Sequence, residues 1–196
     1  MPIDAQLISK LRASTGAGLS DIKSALDESQ GSEEQAIEIL RKKGALKAAK
    51  KVAERTAGDG LIESYIHSNG RVGVLVQVRC ETDFVARTDD FKELAHELAL
   101  QIAGANPLYV SRAEVPNEVL EKEREIYREQ LKGEGKPENM WDTIIEGKLN
   151  KYFSDVCLLE QSFIKDDTKT IQQILEEHIA KLGEKIEVGK FTRFQI

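Results

Sequence analysis

Valines occupy every second position from Val72 to Val78, and this alternation predicts a β-strand with one buried face. Successive side chains of a strand point to opposite sides of a sheet, so the four valines share a side that must pack against other apolar residues. The run follows Asn69-Gly70, and Asn-Gly is the strongest short-range signal for a hairpin turn. Residues 61–67 are therefore predicted to form a second strand, antiparallel to the valine strand.

Three short helices are predicted before these strands, within residues 1–43. Apolar residues recur there at intervals of three and four, as on one side of an amphipathic helix. The glycines in residues 15–18 end the first helix and Gly31 ends the second, because glycine readily adopts the left-handed conformation of a helix end. Ser32 is a suitable N-cap for the third helix, which is expected to run from Glu33 to Lys43.

Helical spacing returns after the strands. Four helices are predicted at residues 91–105, 116–131, 138–152 and 171–182, of which the second and third form a helical hairpin around a glycine-rich turn. A last strand is predicted over residues 185–196, with a β-bulge near Gly189, where the alternation slips. An antiparallel sheet covered by helices on one side indicates an α+β core.

The segment from Arg41 to Arg55 has seven basic residues and one acidic residue, in a chain whose net charge is −6. One interpretation is a contact with nucleic acid or the ribosome. The other is a solvated helical linker, which is favoured because no aromatic side chain lies among the lysines to stack on bases. The expected organisation is a three-helix module at 1–43, a basic linker at 44–58 and an α+β core at 59–196, with no direct nucleic-acid binding.

Composition and cysteine content indicate a globular protein of the cytoplasm. The 196 residues are 40% hydrophobic and 32% charged, which is typical of a folded chain. No apolar run reaches the roughly 18 residues that a membrane helix needs, and the N-terminus does not have the pattern of a secretory signal. Cys80 and Cys157 do not make a disulfide framework, so both thiols are expected to be buried in a reducing compartment.

The sequence contains no local pattern of catalytic or metal-binding residues. His67, His96 and His178 each lie far from a second histidine or a cysteine at metal-ligand spacing. The glycine-rich segments at 16–18 and 133–136 do not have the spacing of nucleotide-binding loops. We therefore expect no catalytic residue, metal or cofactor.

Residues 80–87, Cys-Glu-Thr-Asp-Phe-Val-Ala-Arg, lead from the valine strand into a helix. Thr82 or Asp83 can cap that helix through a side-chain oxygen. Phe84 has two interpretations. It packs locally against the helix start, as a hydrophobic staple does, or it protrudes from a rigid base and inserts into a partner.

Short segments in a fixed order extend over essentially the whole chain. They are Thr15-Gly16-Ala17-Gly18, Asp21-Ile22-Lys23, Lys47-Ala48-Ala49-Lys50-Lys51, Gly70-Arg71-Val72-Gly73-Val74, Thr82-Asp83-Phe84-Val85-Ala86-Arg87 and Leu158-Leu159-Glu160-Gln161. Each segment alone has low specificity, but their order and spacing together resemble bacterial elongation factor Ts. That family consists of guanine-nucleotide exchange factors for elongation factor Tu.

The resemblance implies a fold and a set of contacts. The first 43 residues are expected to resemble ubiquitin-associated domains and to pack on the nucleotide-binding domain of elongation factor Tu. The segment Thr82–Val85, above all its Asp-Phe pair, is expected to intrude beside the magnesium and phosphate site of the partner, and His67 with its hairpin to contact the partner's third domain. The contacts expected from the three-helix module are Arg12, Leu19, Ser20 and Lys23.

The resemblance also implies an assembly and shows two departures from the family pattern. The chain has room for a single core, and short family members pair to rebuild the double core of longer ones, so a homodimer is expected. The last strand, with Phe191, Phe194 and Ile196, is a candidate part of that interface, and the alternative is that these side chains pack in the core of the chain itself. Leu19-Ser20 stands where many members have two methionines, which weakens one apolar contact, and Ser162 stands where members often have proline.

Two other classes of function remain open at the level of the sequence. One is a helical protein-binding module of unknown target, since helical modules of this kind bind peptides or helices by themselves. The other is an enzyme, which the lack of a local catalytic pattern disfavours.

Overall fold

The computed structural model describes residues 5–196, except for the side chains of residues 45–54. Three helices come first: α1 Ala5–Thr15, α2 Leu19–Glu28 and α3 Glu33–Glu54. Their apolar sides form a small core of their own, built from Leu11, Ile22, Ala25, Leu26, Ala36 and Leu40. The three predicted helices are confirmed, and residues 1–4, at the start of the predicted module, lie outside the described residues.

The remaining elements of the described residues are five strands and five α-helices. In chain order they are β1 Asp59–Ile66, β2 Val72–Cys80, α4 Asp83–Ala86, α5 Asp89–Ala105, α6 Asn117–Gly133, α7 Trp141–Val156, β3 Ser162–Phe163, β4 Asp166–Thr170, α8 Ile171–Leu182 and β5 Glu187–Gln195. Within the described residues, β1, β2 and β5 form an antiparallel three-stranded sheet with β2 in the centre, and β3 pairs with β4. This combination of helices and antiparallel sheet is compatible with the predicted α+β class.

Helix α3 does not end at Lys43, as the sequence predicted, but continues to Glu54. Alanine and lysine are strong helix formers, and a single glycine in this stretch is too weak a breaker to stop the helix. Gly44 also has a packing role, because a Cβ at this position would lie 3.6 Å from the Cβ of Ala180 in α8. The basic segment is thus largely one helix, and α3 passes close to the core at α8.

The sheet has one buried and one exposed face. Val74, Val76 and Val78 are buried in the main core, together with residues of α5 and α8. The valine alternation and the Asn-Gly hairpin are confirmed. The opposite face leaves the apolar side chains of Ile62, Ile66, Leu75 and Phe194 exposed.

A β-bulge interrupts the pairing of β2 with β5, as predicted near Gly189. Val76 lies opposite Phe191, whereas Val78 lies opposite Val188, so β5 has one extra residue between the two pairs. A Cβ on Gly189 would come within 2.4 Å of Oε1 of Gln77. The close approach of Gln77 explains why a residue without a side chain stands at the bulge.

Helices α6 and α7 form the predicted helical hairpin. Leu131, Ile145 and Leu149 are buried between them. The second helix begins at Trp141 rather than at residue 138, because Glu138–Met140 forms a 3-10 turn after Pro137. In the part of the chain that the structure describes, no helix is both long and apolar enough to cross a lipid bilayer.

Candidate protein-binding site

The turn between β2 and α5 presents Phe84 to solvent. Phe84 is 80% exposed, although it follows a buried strand and precedes a buried helix. Thr82 is the N-cap of α4, with its hydroxyl oxygen accepting a hydrogen bond from the Val85 N–H at 3.4 Å. The hydrophobic-staple interpretation of Phe84 is therefore wrong, since a staple would be buried against its own helix. We call residues Thr82–Val85 the tip.

The remaining tip residues divide between anchoring and presentation. Val85 packs against the main core, so it fixes the base of the turn. The Asp83 carboxylate is half-exposed and lies 2.8 Å from the Arg87 guanidinium, four residues along the chain. Such exposed pairs contribute at most about 1 kcal/mol and exchange partners easily. Asp83 is thus able to leave Arg87 for a group on another protein.

The thiol below the tip is structural. Cys80 is fully buried and its Sγ donates a hydrogen bond to the Thr82 carbonyl oxygen at 3.1 Å. Burial, and secondly the charge of Glu184, raises the pKa of Cys80 to about 11, and burial likewise raises the pKa of Cys157 to about 11. The prediction that both thiols are buried is confirmed. Both are protonated at neutral pH, and a protonated thiol is a poor nucleophile.

A second exposed set lies on α1 and α2. Leu19 is the first residue of α2 and is 49% exposed, whereas Ile22 and Leu26 of the same helix are buried. The side chains of Arg12, Ser20 and Lys23 are also exposed. Arg12 borders a cleft of about 880 Å³ between the N-terminal helices and α8. These four residues belong to helices that are distinct from the tip.

His67 follows β1 at the start of the hairpin turn and is exposed. The Tyr65 hydroxyl and the His67 Nδ1 are 2.9 Å apart. Tyr65 also meets His96 edge to face, and His96 Nδ1 lies 3.1 Å from the Glu63 carboxylate. The residues that the structure describes include no group of three or more His, Cys, Asp or Glu side chains able to hold a metal ion.

Comparison with known proteins gives one consistent result. A family model described as elongation factor TS matches residues 6–196. The chain belongs to the elongation factor Ts family. It is 58% identical to elongation factor Ts of Thermotoga petrophila over 196 residues, which are 100% of this chain and 97% of the relative. It is 56% identical over 196 residues to the protein of the same name from Fervidobacterium nodosum, covering 100% and 99% of the two chains.

A third relative agrees with these two. Elongation factor Ts of Thermoanaerobacter sp. strain X514 is 55% identical over 193 residues, which are 98% of this chain and 94% of the relative. The resemblance that the short segments indicated is therefore confirmed. As a member of the elongation factor Ts family, the chain acts in the elongation stage of translation.

The sequence did not single out the residues that support the tip. Three such residues come from three separate loops: Glu184 bonds to Thr82 of the tip, Glu81 directly precedes the tip, and Arg55 bonds to Glu81. Glu184 is 102 residues from Thr82 along the chain, and an isolated glutamate after a helix has no pattern that distinguishes it from a solvated one. A hairpin turn or an N-cap is predicted from residues that are neighbours in the sequence. The contact between Glu184 and Thr82 instead depends on the pairing of β5 with β2.

Proposed function

We propose that this chain binds elongation factor Tu and promotes the release of GDP by disturbing the Mg²⁺ and phosphate site of the partner. The observation that supports this function is the exposed Phe84 on a capped turn with a buried base. Exposing a large aromatic ring to water is unfavourable, so a rigid turn that keeps one exposed is typical of a contact surface. Membership of the elongation factor Ts family supplies the partner.

Exchange requires differential binding rather than chemistry. The factor accelerates release only if it binds the nucleotide-free or distorted partner more tightly than the GDP-bound one, and GDP then weakens the factor's binding by the same equilibrium ratio. Phe84 supplies apolar contact that is made only when the site of the partner is open. No covalent step is needed, so the chain is proposed to act without catalytic residues, metal or cofactor of its own.

Asp83 acts on the charge balance of the partner's site. A bound Mg²⁺ neutralises the phosphates of a nucleotide. A carboxylate that arrives beside them repels the phosphates or competes for the hydrogen bonds that hold them. Loss of the metal then leaves the phosphate charge uncompensated, and GDP leaves. Thr82 and Val85, at the two ends of the tip, hold Asp83 and Phe84 in place for this contact.

The N-terminal helices provide the second contact. We propose that residues 1–43 form a ubiquitin-associated-like module that packs on the nucleotide-binding domain of elongation factor Tu through Arg12, Leu19, Ser20 and Lys23. Three helices around a small core, with Leu19 exposed beside it, support this assignment. In this proposal residues 44–58 link the module to a core at 59–196. His67 and its hairpin contact the third domain of the partner.

The exposed face of the sheet supports a homodimer. Ile62, Ile66, Leu75 and Phe194 lie on that face and come from all three strands. Two sheets that pack face to face bury such residues, about 10 Å apart. The same face on a second copy is self-complementary, as a two-fold interface requires. We propose that the chain pairs in this way in the cytoplasm, with no direct contact to nucleic acid.

Release of a fluorescent GDP analogue from bacterial elongation factor Tu tests the function. The chain is added in substoichiometric amounts to the partner loaded with the analogue, with excess unlabelled GDP. We expect faster release with multiple turnovers per molecule of this chain. No acceleration of a folded partner would overturn the proposal and leave a helical binding module with another target.

A further inference from the structure

We propose that Glu184 is a positioning residue for nucleotide exchange, which holds the tip in the orientation that presents Asp83 and Phe84. This inference rests on the proposed function of the tip. Glu184 lies in the loop between α8 and β5, far from Phe84 in the sequence. Its side chain is half-buried, and its carboxylate accepts a hydrogen bond from the backbone N–H of Glu81, just before the tip.

Both carboxylate oxygens of Glu184 accept hydrogen bonds from Thr82, the first residue of the tip, and one of them also accepts from Glu81 just before it. Oε2 accepts from the backbone N–H groups of Glu81 and Thr82, each at 3.1 Å. Oε1 accepts from the Thr82 hydroxyl at 2.7 Å. Strand β2 ends at Cys80 and helix α4 begins at Asp83, so these two N–H groups fall outside both elements. The carboxylate takes the place of a sheet or helix partner there.

Glu184 is itself held in place by its neighbours. Gly183 adopts the left-handed conformation, φ 81°, and its N–H donates to the Ile179 carbonyl oxygen at 3.0 Å, which ends α8. Ile186 is buried and the next residue begins β5. The carboxylate of Glu184 therefore extends from a turn that is fixed on both sides.

The loop that carries Glu184 and the turn that leads into the tip hold each other through reciprocal hydrogen bonds. The Lys185 N–H donates to the Glu81 carboxylate, while Glu184 accepts from the Glu81 N–H. Arg55, just after α3, donates to Oε1 of Glu81 at 3.0 Å and to the Gly183 carbonyl oxygen at 3.3 Å. A change at Glu184 is thus transmitted to the backbone of Thr82 and from there to the direction of Phe84. Misplacing a group by about 1 Å can reduce a rate by as much as ~100-fold.

Three substitutions separate the geometry of Glu184 from its charge. E184Q keeps the length: its amide oxygen accepts from the two N–H groups, and its NH₂ donates to the Thr82 hydroxyl oxygen. E184D keeps the charge but is one methylene shorter, so it does not reach all three donors. E184A removes every contact. We expect E184Q to exchange nearly as well as the unmodified chain, and E184D and E184A to be slower.

The measurement is GDP-analogue release from elongation factor Tu over a range of concentrations of each variant. E184A should lower the maximal release rate about tenfold, with the half-saturating concentration changed less, because the N-terminal helices still provide binding. E129A on the exposed surface of α6 is the matched control and should leave both values unchanged. Circular dichroism and thermal melting establish that each variant is folded. If E184A is unfolded, the comparison of E184Q with E184D decides.

Combination with F84A identifies the route of the effect. If Glu184 acts through the tip, the E184A substitution lowers the rate by a smaller factor in an F84A background than in the unmodified chain, because only the contribution of Asp83 is left to lose. Multiplicative losses would overturn the proposal, as would an E184Q variant as slow as E184A or an E184A variant with the normal maximal rate. If the unmodified chain accelerates release, these results contradict the role of Glu184 but not the exchange function. Failure of the unmodified chain would instead remove the proposed function.

Discussion

Phe194 of β5 lies directly opposite Gly73 of β2 on the exposed face of the sheet. Ile66 of β1 is the partner of Gly73 on the other side, and a Cβ at Gly73 would lie 3.0 Å from Cδ1 of Ile66. Glycine thus leaves room for the side chain of Ile66. The result is one apolar row across all three strands, in which Phe194 is 69% exposed and Ile66 is 67% exposed.

A charge in this apolar row is expected to separate the proposed dimer. F194D places a carboxylate where two sheet faces meet, and burying an unpaired charge there is strongly unfavourable. Sedimentation equilibrium should show a dimer for the unmodified chain and a monomer for F194D. M140D, which changes an exposed apolar residue beside the helical hairpin, should remain dimeric. A monomeric unmodified chain, or an F194D dimer of unchanged affinity, would contradict the proposed interface.

Removal of the Phe84 ring is expected to slow exchange without affecting the fold. F84A deletes a side chain that is exposed in the free protein, so the unfolding free energy should change by less than about 0.5 kcal/mol. The maximal rate of GDP-analogue release should fall at least tenfold, which corresponds to an activation free energy of release that is higher by about 1.4 kcal/mol. I164A, in the turn between β3 and β4, removes another exposed apolar side chain and serves as the control. An F84A variant with normal exchange would exclude Phe84 as the wedge.

A charge at Leu19 is expected to weaken binding of elongation factor Tu. Leu19 is half-exposed at the start of α2, while the small core beneath it is formed by other residues. L19D should therefore melt like the unmodified chain, and titration calorimetry with nucleotide-free partner should show at least tenfold lower affinity, about 1.4 kcal/mol. I126D, on the surface of α6, makes the same chemical change elsewhere. Equal affinities of L19D and the unmodified chain would mean that the contact lies elsewhere.

The two buried thiols are expected to make the protein less stable at alkaline pH. Burial raises the pKa of Cys80 and of Cys157 from 9.0 to about 11 in the folded state. Above pH 9 the unfolded chain therefore loses protons that the folded chain retains. The free energy of unfolding then falls as pH rises from about 9 to 11, by up to about 1.4 kcal/mol per pH unit for each thiol.

Urea denaturation between pH 8 and pH 10 measures this effect. The double variant C80A/C157A has no thiol, so its stability should fall less steeply over that interval than that of the unmodified chain. Alanine leaves a small cavity and lowers stability at every pH, which shifts the curve without changing its slope. Parallel curves for the two proteins would show that the thiols ionise equally in both states.

Most of the secondary structure could be predicted from the sequence, because its causes are local. The valine alternation and Asn69-Gly70 indicated the hairpin, and helical spacing indicated α5, α6 and α8 to within a few residues. The boundary at Lys43 was wrong since the helix signal there continues and no strong breaker follows. The β3–β4 pair was missed, because its strands have two and five residues and mostly polar side chains.

The candidate site was only partly predictable. Thr82 has the residue type of an N-cap, and the structure confirms that role. The exposure of Phe84 was not decided by the sequence, because a phenylalanine beside a cap is equally able to pack on its own helix. In the folded chain, Val85 and Ala86 are the residues of α4 that pack against the main core, and Phe84 lies on the side that faces solvent.

The sequence by itself determined most of the helices and the three main strands, the hairpin turn, the buried face of the sheet and the family to which the chain belongs. Only the tertiary structure decided that Phe84 points to solvent and that Glu184 reaches the N–H groups of Glu81 and Thr82. Local elements follow from periodicity and caps, which act over a few residues. The contact of Glu184 spans more than a hundred positions and forms only after β5 has paired with β2, because burial of the shared core brings these two turns together.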